Sequence, residues 1–343
     1  MLTIPATRPW HEADDWTGEA ERRGLAARER AIVDAFRRDG FVVVEDDRRL
    51  DELDVDGIWT RHATAFEPAN GGRATDAWRI DAAVRGVATH PDVLGVLRLL
   101  YGREPVPFQT LNFLNGTEQR THSDTIHFNA MPNGFMCGVW MALEDVTLRQ
   151  GPLHYYAGSH RLPELDYEDL DVPAVDGPAN WYNPNTATSY RVYEERIDGI
   201  ARESGLPRAE LAIRKGTFLV WAANLLHGGS PRDDRTLTRK SQVTHYVFED
   251  VVPYTPMFSR RSLGAFEVRR VRDIRTGRWS LPSLDGTPVV FPRHEGTRRS
   301  IEPALTPAAR LTSATMALHG RLVPPPRAAL RAIARTIVRP RGG

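Results

Sequence analysis

The sequence predicts a mainly-β domain of the jelly-roll or sandwich type, with α-helices flanking the sheet core. Short apolar segments of strand length recur between residues 106 and 248, and turn-forming Gly, Pro and Asn residues separate them. The 343 residues, of which 41% are hydrophobic, suffice for one large domain with a buried core. No internal repeat interrupts this pattern.

Helices are expected ahead of the strands, after an N-terminal arm at residues 1–20. The apolar residues of the stretch 20–39 share one helical face: Leu25, Ile32, Val33 and Phe36. Gly40 is a plausible C-terminal stop for this helix, and residues 41–44 follow as a strand. A second helix is predicted at 91–100 and ends at Tyr101 and Gly102.

Five further segments have the apolar character of strands: 106–114, 117–128, 135–143, 217–221 and 242–248. Between the first two of them, Asn115-Gly116 is a strong signal for a hairpin turn. These strands form the body of a single jelly-roll domain at residues 21–300.

Two segments depart from the strand pattern. Residues 165–200 are rich in Asp, Asn and Pro but also hold five aromatic residues, Tyr167, Trp181, Tyr182, Tyr190 and Tyr193, which favours a lid insertion. In the helical, basic tail at 301–343, arginines recur every four positions at Arg327, Arg331, Arg335 and Arg339. A helix packed on its own domain is favoured there over one that docks on a membrane surface or a partner.

Composition excludes several classes of protein. With 45 basic and 44 acidic residues, the formal net charge of +1 gives no general affinity for nucleic acid. Cys137 is the single cysteine, so no internal disulfide forms, and it lies in an apolar strand segment. There is no basic-then-apolar leader at the N-terminus and no apolar run approaching a membrane span. We therefore expect a cytoplasmic protein that inserts stably into no membrane; its oligomeric state is left open.

The motif His122-Ser123-Asp124 carries the chemistry. A histidine and a carboxylate two residues apart on a strand point to the same side, because side chains alternate between faces. His227, at the end of a distant strand, supplies a second nitrogen ligand. The resulting two-histidine, one-carboxylate set is the facial triad of non-haem iron(II) oxygenases, and its mixed nitrogen and oxygen donors suit iron better than thiolates would.

Arg239 follows His227 by twelve residues and is a candidate for binding a co-substrate. A 2-oxoglutarate co-substrate that chelates iron leaves its distal carboxylate deep in the barrel, where an arginine fork binds it with charge-assisted hydrogen bonds. Ser230 would add a hydroxyl to the same carboxylate. Each residue is weak evidence alone, and their order and spacing carry the prediction.

At these residues the chain resembles the phytanoyl-CoA dioxygenase family of Fe(II)/2-oxoglutarate-dependent oxygenases. The matching motifs are 35–43 (AFRRDGFVV), 122–128 (HSDTIHF), 140–145 (WMALED), 151–153 (GPL), 157–160 (AGSH), 227–231 (HGGSP) and 239–241 (RKS). The family fold is a double-stranded β-helix of cupin-like jelly-roll type, which agrees with the strand pattern.

The resemblance implies His122, Asp124 and His227 as catalytic iron ligands and Arg239 as the 2-oxoglutarate clamp. It also implies that Trp140 lies beside the co-substrate. Arg239 is one residue further from the distal histidine than is usual in the family. Because Ser230 is shifted equally, a one-residue insertion after His227 explains both, and Arg235 is the less favoured clamp.

The predicted reaction uses Fe(II), 2-oxoglutarate and O2 to hydroxylate or oxidatively cyclise an unactivated C–H bond. The aromatic and acidic composition of the lid favours a bacterial specialised metabolite or a glycoside over an acyl-CoA. Two alternatives remain: a non-catalytic metal- or sugar-binding jelly-roll module, and a cupin-type metal-dependent isomerase or hydrolase. Among the other histidines, His127 is expected on the face opposite His122, and His245 either in the barrel interior or as a plain core residue.

Overall fold

The computed structural model describes residues 8–45, 50–170, 187–259 and 266–289. In these ranges it has six α-helices: α1 (Trp16–Arg22), α2 (Ala27–Asp39), α3 (Ile58–Arg61), α4 (Ala82–Ala88), α5 (Pro91–Tyr101) and α6 (Ala187–Glu203). Its strands are β1 (Phe41–Val44), β2 (Arg73–Thr75), β3 (Pro105–Phe113), β4 (Asn129–Met131), β5 (Met136–Ala142), β6 (Leu153–Tyr156), β7 (Arg208–Glu210), β8 (Phe218–Ala222), β9 (His227–Gly229), β10 (Ser241–Phe248), β11 (Val252–Tyr254), β12 (Ser283–Leu284) and β13 (Thr287–Pro288).

The core of the fold is a six-stranded antiparallel sheet in the order β1-β8-β5-β10-β3-β2. Strand β10 lies near its centre and pairs with β5 on one side and β3 on the other. All eight residues of β10 are buried, as expected for a central strand covered on both faces. Strand β2 forms one edge of this sheet.

The two faces of the sheet have different partners. On one face, Val139, Val220 and Tyr246 belong to the large core cluster that also contains Phe36 of α2 and Leu97 of α5. The residues that alternate with them belong to a second cluster on the other face, which includes Trp140, Leu219, Trp221 and Val243. Because this second cluster also holds Tyr155 of β6, it joins the large sheet to a smaller one in the order β7-β6-β9.

The mainly-β jelly-roll class predicted from the sequence is confirmed, with helices flanking the sheets. The exact double-stranded β-helix remains a prediction. The strands predicted at 41–44, 106–114, 135–143, 217–221 and 242–248 are present as β1, β3, β5, β8 and β10 with their ends moved by one residue or less. The helix predicted at 91–100 is α5, and Gly40 ends α2 in the left-handed conformation.

Three local predictions were wrong. Asn115-Gly116 makes no hairpin, since β3 pairs with β10 and β2, which are both distant in sequence. Residues 117–128 are no regular strand: His122 forms an isolated bridge and Asp124–Ile126 form a 3-10 turn. The stretch 20–39 holds two helices, α1 and α2, where one was predicted.

The arm and lid segments contain more regular structure than their composition suggests. At the N-terminus, residues 10–12 form a 3-10 turn ahead of α1, and His11 is buried against Phe36 and Tyr101. Part of the predicted lid is the 17-residue helix α6. Trp181, Tyr182 and the tail at 301–343 lie outside the described residues. In the described ranges, no helix has the length and apolar character needed to cross a membrane.

Substitution of Gly138 tests the packing of β5 against β8. Gly138 pairs with Trp221, and a Cβ at position 138 would lie 2.2 Å from the indole ring, which is held in the core. We expect Gly138→Ala to lower the free energy of unfolding by about 1–3 kcal/mol because the core is overpacked. Urea unfolding measures the effect.

Gly95→Ala is the matched control. Gly95 lies in α5, where an added Cβ meets no heavy atom within 4 Å, and alanine favours the helix more than glycine does. Equal stabilities of the Gly138→Ala variant and the unmodified protein would contradict the proposed packing constraint.

Candidate metal centre

The site forms where the loop 117–123 lies against β9. His122 and His227 form an antiparallel bridge, and each backbone N–H donates to the other residue's carbonyl oxygen, at 2.9 and 3.0 Å. Glycines after His227 allow this approach. A Cβ at Gly228 would lie 2.7 Å from the Gln119 carbonyl oxygen, and one at Gly229 would lie 2.8 Å from the Thr117 hydroxyl. The HGG sequence therefore brings the two histidines together.

Three donor atoms converge at this point. Oδ1 of Asp124 lies 3.7 Å from Nε2 of His122 and 3.9 Å from Nε2 of His227. All three donors lie within 4.8 Å of one another, and all three residues are buried. The structure thus brings together the three residues that the sequence predicts as metal ligands.

Hydrogen bonds to the backbone fix the tautomers of both histidines. Nδ1 of His122 donates to the Arg120 carbonyl oxygen at 3.0 Å, and Nδ1 of His227 donates to the Leu225 carbonyl oxygen at 2.9 Å. Carbonyl oxygens only accept, so both Nδ1 atoms carry a proton, and in the neutral imidazole Nε2 is then the atom with the lone pair. This orientation by outer partners is typical of metal-binding histidines.

A capped 3-10 turn and a hydrogen bond from an indole hold Asp124 in place. Its place at the start of a 3-10 turn, which Ser123 caps by accepting from the Thr125 N–H, aims the carboxylate at the histidines. Oδ2 accepts a hydrogen bond from Nε1 of Trp221 at 2.8 Å and lies 3.5 Å from Nε2 of His245. The other oxygen, Oδ1, faces the two histidines and is left for a metal.

The protonation states suit a divalent cation. Burial lowers the pKa of His122 to about 3, and the neighbouring His227 acts in the same direction. Burial alone would raise the pKa of the Asp124 carboxyl, but the surrounding histidines, His227 foremost, hold it well below its usual range. At neutral pH the site therefore offers a neutral imidazole and a carboxylate anion, which is a donor set that fits iron(II).

Arg239 lines the same cavity as the triad. Its side chain is buried, and Nη1 donates to the Gly151 carbonyl oxygen at 2.8 Å. Burial lowers the pKa of Arg239 to about 10, so it still carries its charge at neutral pH. Among the described residues no group bonds its Nε, and the nearby Trp140 Nε1 is equally without a partner. A buried cation with unused donors is the arrangement expected where an anion binds.

Ser230 and Arg235 have other partners. The Ser230 hydroxyl donates to Glu210 at 2.6 Å and accepts from Arg208 at 2.9 Å. It is therefore engaged outside the cavity, and the structure does not bring it to the cavity that Arg239 lines. Arg235 is exposed and pairs with Glu118, so of the two arginines considered as the clamp only Arg239 lines the cavity.

The cavity has a volume of about 220 Å³, and its lining extends from the triad to residues of β3 and of the edge strand β2. His245 lines it, as the alternation along β10 predicts. His127 also lines it, contrary to the expectation that it faces away, because the 3-10 turn replaces the regular strand. Among the described residues, charged side chains in the lining are limited to Arg73, Asp124 and Arg239, apart from the histidines.

Helix α6 braces the metal-binding loop, which sequence analysis missed. The Tyr193 hydroxyl accepts from the Ser123 N–H and donates to the Ser123 carbonyl oxygen. Tyr190 bonds Nε2 of His127 at 3.0 Å. The aromatic residues of the predicted lid were the sequence signal that could have revealed these contacts. The contacts depend on a helix, however, and the polar composition of the segment does not indicate one. Trp221 was also missed, because an apolar strand gives no sign that one indole N–H holds a ligand.

The chain matches the model of the phytanoyl-CoA dioxygenase (PhyH) family over residues 36–236. Phytanoyl-CoA dioxygenase domain-containing protein 1 of Mus musculus is 28% identical over 102 residues, which are 29% of this chain and 35% of the mouse protein. The chain thus matches about a third of that relative's length.

Several solved structures are similar to this chain. The epimerase SnoN from nogalamycin biosynthesis, described as non-heme and alpha ketoglutarate dependent, has a TM-score of 0.48 and 20% identity, covering 66% of this chain and 85% of SnoN. EctD from S. alaskensis with 2-oxoglutarate and 5-hydroxyectoine has a TM-score of 0.48 and 19% identity, covering 88% of this chain and 92% of EctD.

Replacing Trp221 tests the orientation of Asp124. Trp221→Phe keeps an aromatic ring in the core but removes the N–H that holds Oδ2, so we expect the affinity for Fe(II) to fall about 10- to 100-fold. Anaerobic Fe(II) titration measures it. Trp59→Phe is the control, since Nε1 of Trp59 bonds no described residue. Equal Fe(II) affinity in the two variants would contradict the role of Trp221.

The buried histidines predict an acid-sensitive fold. Burial lowers the pKa of His127 and of His154 to about 4, from 6.5 for a free side chain. Below pH 6.5 the unfolded chain therefore takes up protons that the folded one refuses, so the free energy of unfolding should fall from about pH 6.5 to about pH 4. Urea midpoints of the metal-free protein check this, and a pH-independent midpoint in that interval would refute it.

Proposed function

Because the chain belongs to the phytanoyl-CoA dioxygenase family, we propose that it is a non-haem Fe(II)/2-oxoglutarate-dependent dioxygenase that oxidises an unactivated C–H bond of a small molecule. The observation that carries the proposal is the buried, underused guanidinium of Arg239 in the cavity of the His122, Asp124 and His227 cluster. A metal site alone has no need of such a cation, whereas a dicarboxylate co-substrate does.

His122, Asp124 and His227 would hold the iron, and Arg239 would bind the distal carboxylate of 2-oxoglutarate beside Trp140. When bound, iron and 2-oxoglutarate together supply the activation of O2 for C–H oxidation. The protein's own residues would orient the metal ligands and shield the site from water. The Arg120 and Leu225 carbonyls fix the imidazoles, and the apolar walls of the cavity limit the access of water.

The proposed outcome is hydroxylation or oxidative cyclisation, and the proposed substrate class is a bacterial specialised metabolite or glycoside. Tyr167 and Tyr193 lend the glycoside no direct support, since they are packed in a buried cluster and do not line the cavity, whereas Tyr190 bonds the lining residue His127. Glu164 accepts from Asn129 and Asn133 and is likewise outside the lining, so this residue gives no argument against an acyl-CoA.

Two other functions are less well supported. A non-catalytic metal- or sugar-binding module would leave the buried Arg239 without an anionic partner. A cupin-type isomerase or hydrolase would use similar ligands but has no need of a 2-oxoglutarate pocket. Both alternatives predict that no succinate is released.

Anaerobic titration of the metal-free protein with Fe(II) and 2-oxoglutarate tests the proposal. We expect the weak visible metal-to-ligand charge-transfer band of the chelate, loss of that band in His122→Ala, and at least about a tenfold higher Kd for 2-oxoglutarate in Arg239→Ala, since a charged partner is removed. After addition of O2, slow release of succinate should follow.

Arg235→Ala is the matched control, because Arg235 is exposed and pairs with Glu118. It should leave both the band and the Kd unchanged. A folded, metal-loaded protein that gives no band would refute the 2-oxoglutarate assignment and favour the binding module or the cupin-type enzyme.

A further inference from the structure

A second arginine, Arg73, lies in the lining of the active-site cavity, and the proposed reaction gives it no task. It is on β2, the edge strand of the large sheet, and its side chain is exposed. Among the described residues, Arg73 has neither a carboxylate partner nor a hydrogen bond from its guanidinium. It differs in this from Arg79, further along the chain, which pairs with Asp76.

Strand register aims Arg73 into the cavity. Arg73 pairs with Phe113 and Thr75 pairs with Leu111 across the β2–β3 ladder. All four residues line the cavity, whereas Ala74 between them is buried on the opposite face. Gln109, two residues from Leu111, continues the same face. The rim thus presents one cation together with the polar side chains of Thr75 and Gln109.

The field of this cation reaches the interior of the cavity. Burial lowers the pKa of His127, and the positive charges of Arg269 and Arg73 act on it in the same direction. The Arg269 guanidinium lies 4.3 Å from the ring centre of Phe128, another lining residue. Two arginines therefore lie close to the part of the cavity that His127 and Phe128 line, although Asp124 acts on the pKa of His127 in the opposite direction.

The charges of the loaded site leave Arg73 unmatched. The negative charge of Asp124 and the positive charge of Arg239 cancel, and so do the charges of a divalent iron and a dianionic co-substrate. Once all four are present, Arg73 is the remaining charge among the carboxylates and arginines of the lining. A substrate that enters past this residue meets a net positive rim, which attracts anions and repels cations.

We propose that Arg73 is a substrate-binding residue that selects a small molecule bearing a carboxylate or phosphate group. This inference rests on the proposed function, and it adds to it that the oxidised C–H bond and an anionic group belong to the same substrate. Arg73 binds the anion at the rim, with Thr75 and Gln109 as neighbouring hydrogen-bonding groups. The remainder of the molecule then extends inward toward the iron ligands.

The test uses the anaerobic Fe(II)/2-oxoglutarate complex, whose charge-transfer band shifts when a molecule binds beside the metal. Metabolites are screened as matched pairs that differ in charge alone, such as methyl glucuronide with methyl glucoside and phenyl phosphate with phenol. We expect the molecules that shift the band to be the anionic members. Their Kd should rise at least about tenfold in Arg73→Gln, since a charge-assisted hydrogen bond is lost.

Two further variants sharpen the test. Arg73→Glu should reverse the preference, so that a matched amine binds better than the acid. Arg28→Gln, which makes the same charge change on the exposed surface of α2, should leave every Kd as in the unmodified protein.

The measurement separates failure of this inference from failure of the proposed function. Absence of the band in the unmodified protein refutes the oxygenase assignment itself. If the band forms but neutral molecules bind as well as acids, or if Arg73→Gln binds the acids undiminished, the role of Arg73 is refuted. A rise in the Kd for 2-oxoglutarate in Arg73→Gln to match that in Arg239→Ala would also refute it, because Arg73 would then hold the co-substrate.

Discussion

The backbone bridge between His122 and His227 is the constraint on which the rest of the site depends. It joins residues that are far apart in sequence with two hydrogen bonds, and so determines the separation of their imidazole rings. The bridge can form because Gly228 and Gly229 have no Cβ to hold the 117–119 segment away. The placement of the two candidate metal ligands is therefore a consequence of close backbone packing.

The position of Asp124 depends in turn on the packing of the large sheet. Its carboxylate is held by the Trp221 indole, and that indole lies across Gly138 of the neighbouring strand. Any residue larger than glycine at 138 would move the indole and with it the carboxylate. One contact between two strands thus connects the hydrophobic core with the electrostatics of the site, and it explains why a strand so apolar contains a glycine at its centre.

The sequence was sufficient for those features that local pattern determines. Apolar runs predicted the strands that became β5, β8 and β10, and the order of chemistry-bearing residues predicted the cluster of His122, Asp124 and His227. Strand pairing could not be predicted from local pattern. The turn signal at Asn115-Gly116 gave a wrong hairpin because β3 pairs with β10, whose register depends on the whole sheet. The strand expected at the His-x-Asp motif is absent. A β-bridge at His122 and a 3-10 turn at Asp124 bring the two side chains close together instead.

Strand order also explains why the two cavity arginines differ. Arg239 lies two residues before the central strand β10 and is buried, so its charge is costly unless an anion binds to it. Arg73 lies on the edge strand β2, where water solvates its charge, so this charge needs no bound anion to stabilise it. A cation in the deep position suits an obligatory co-substrate, and one at the rim suits a substrate that must come and go. Under the functions proposed above, burial makes Arg239 the stronger anion-binding residue of the cavity and exposure makes Arg73 the weaker one.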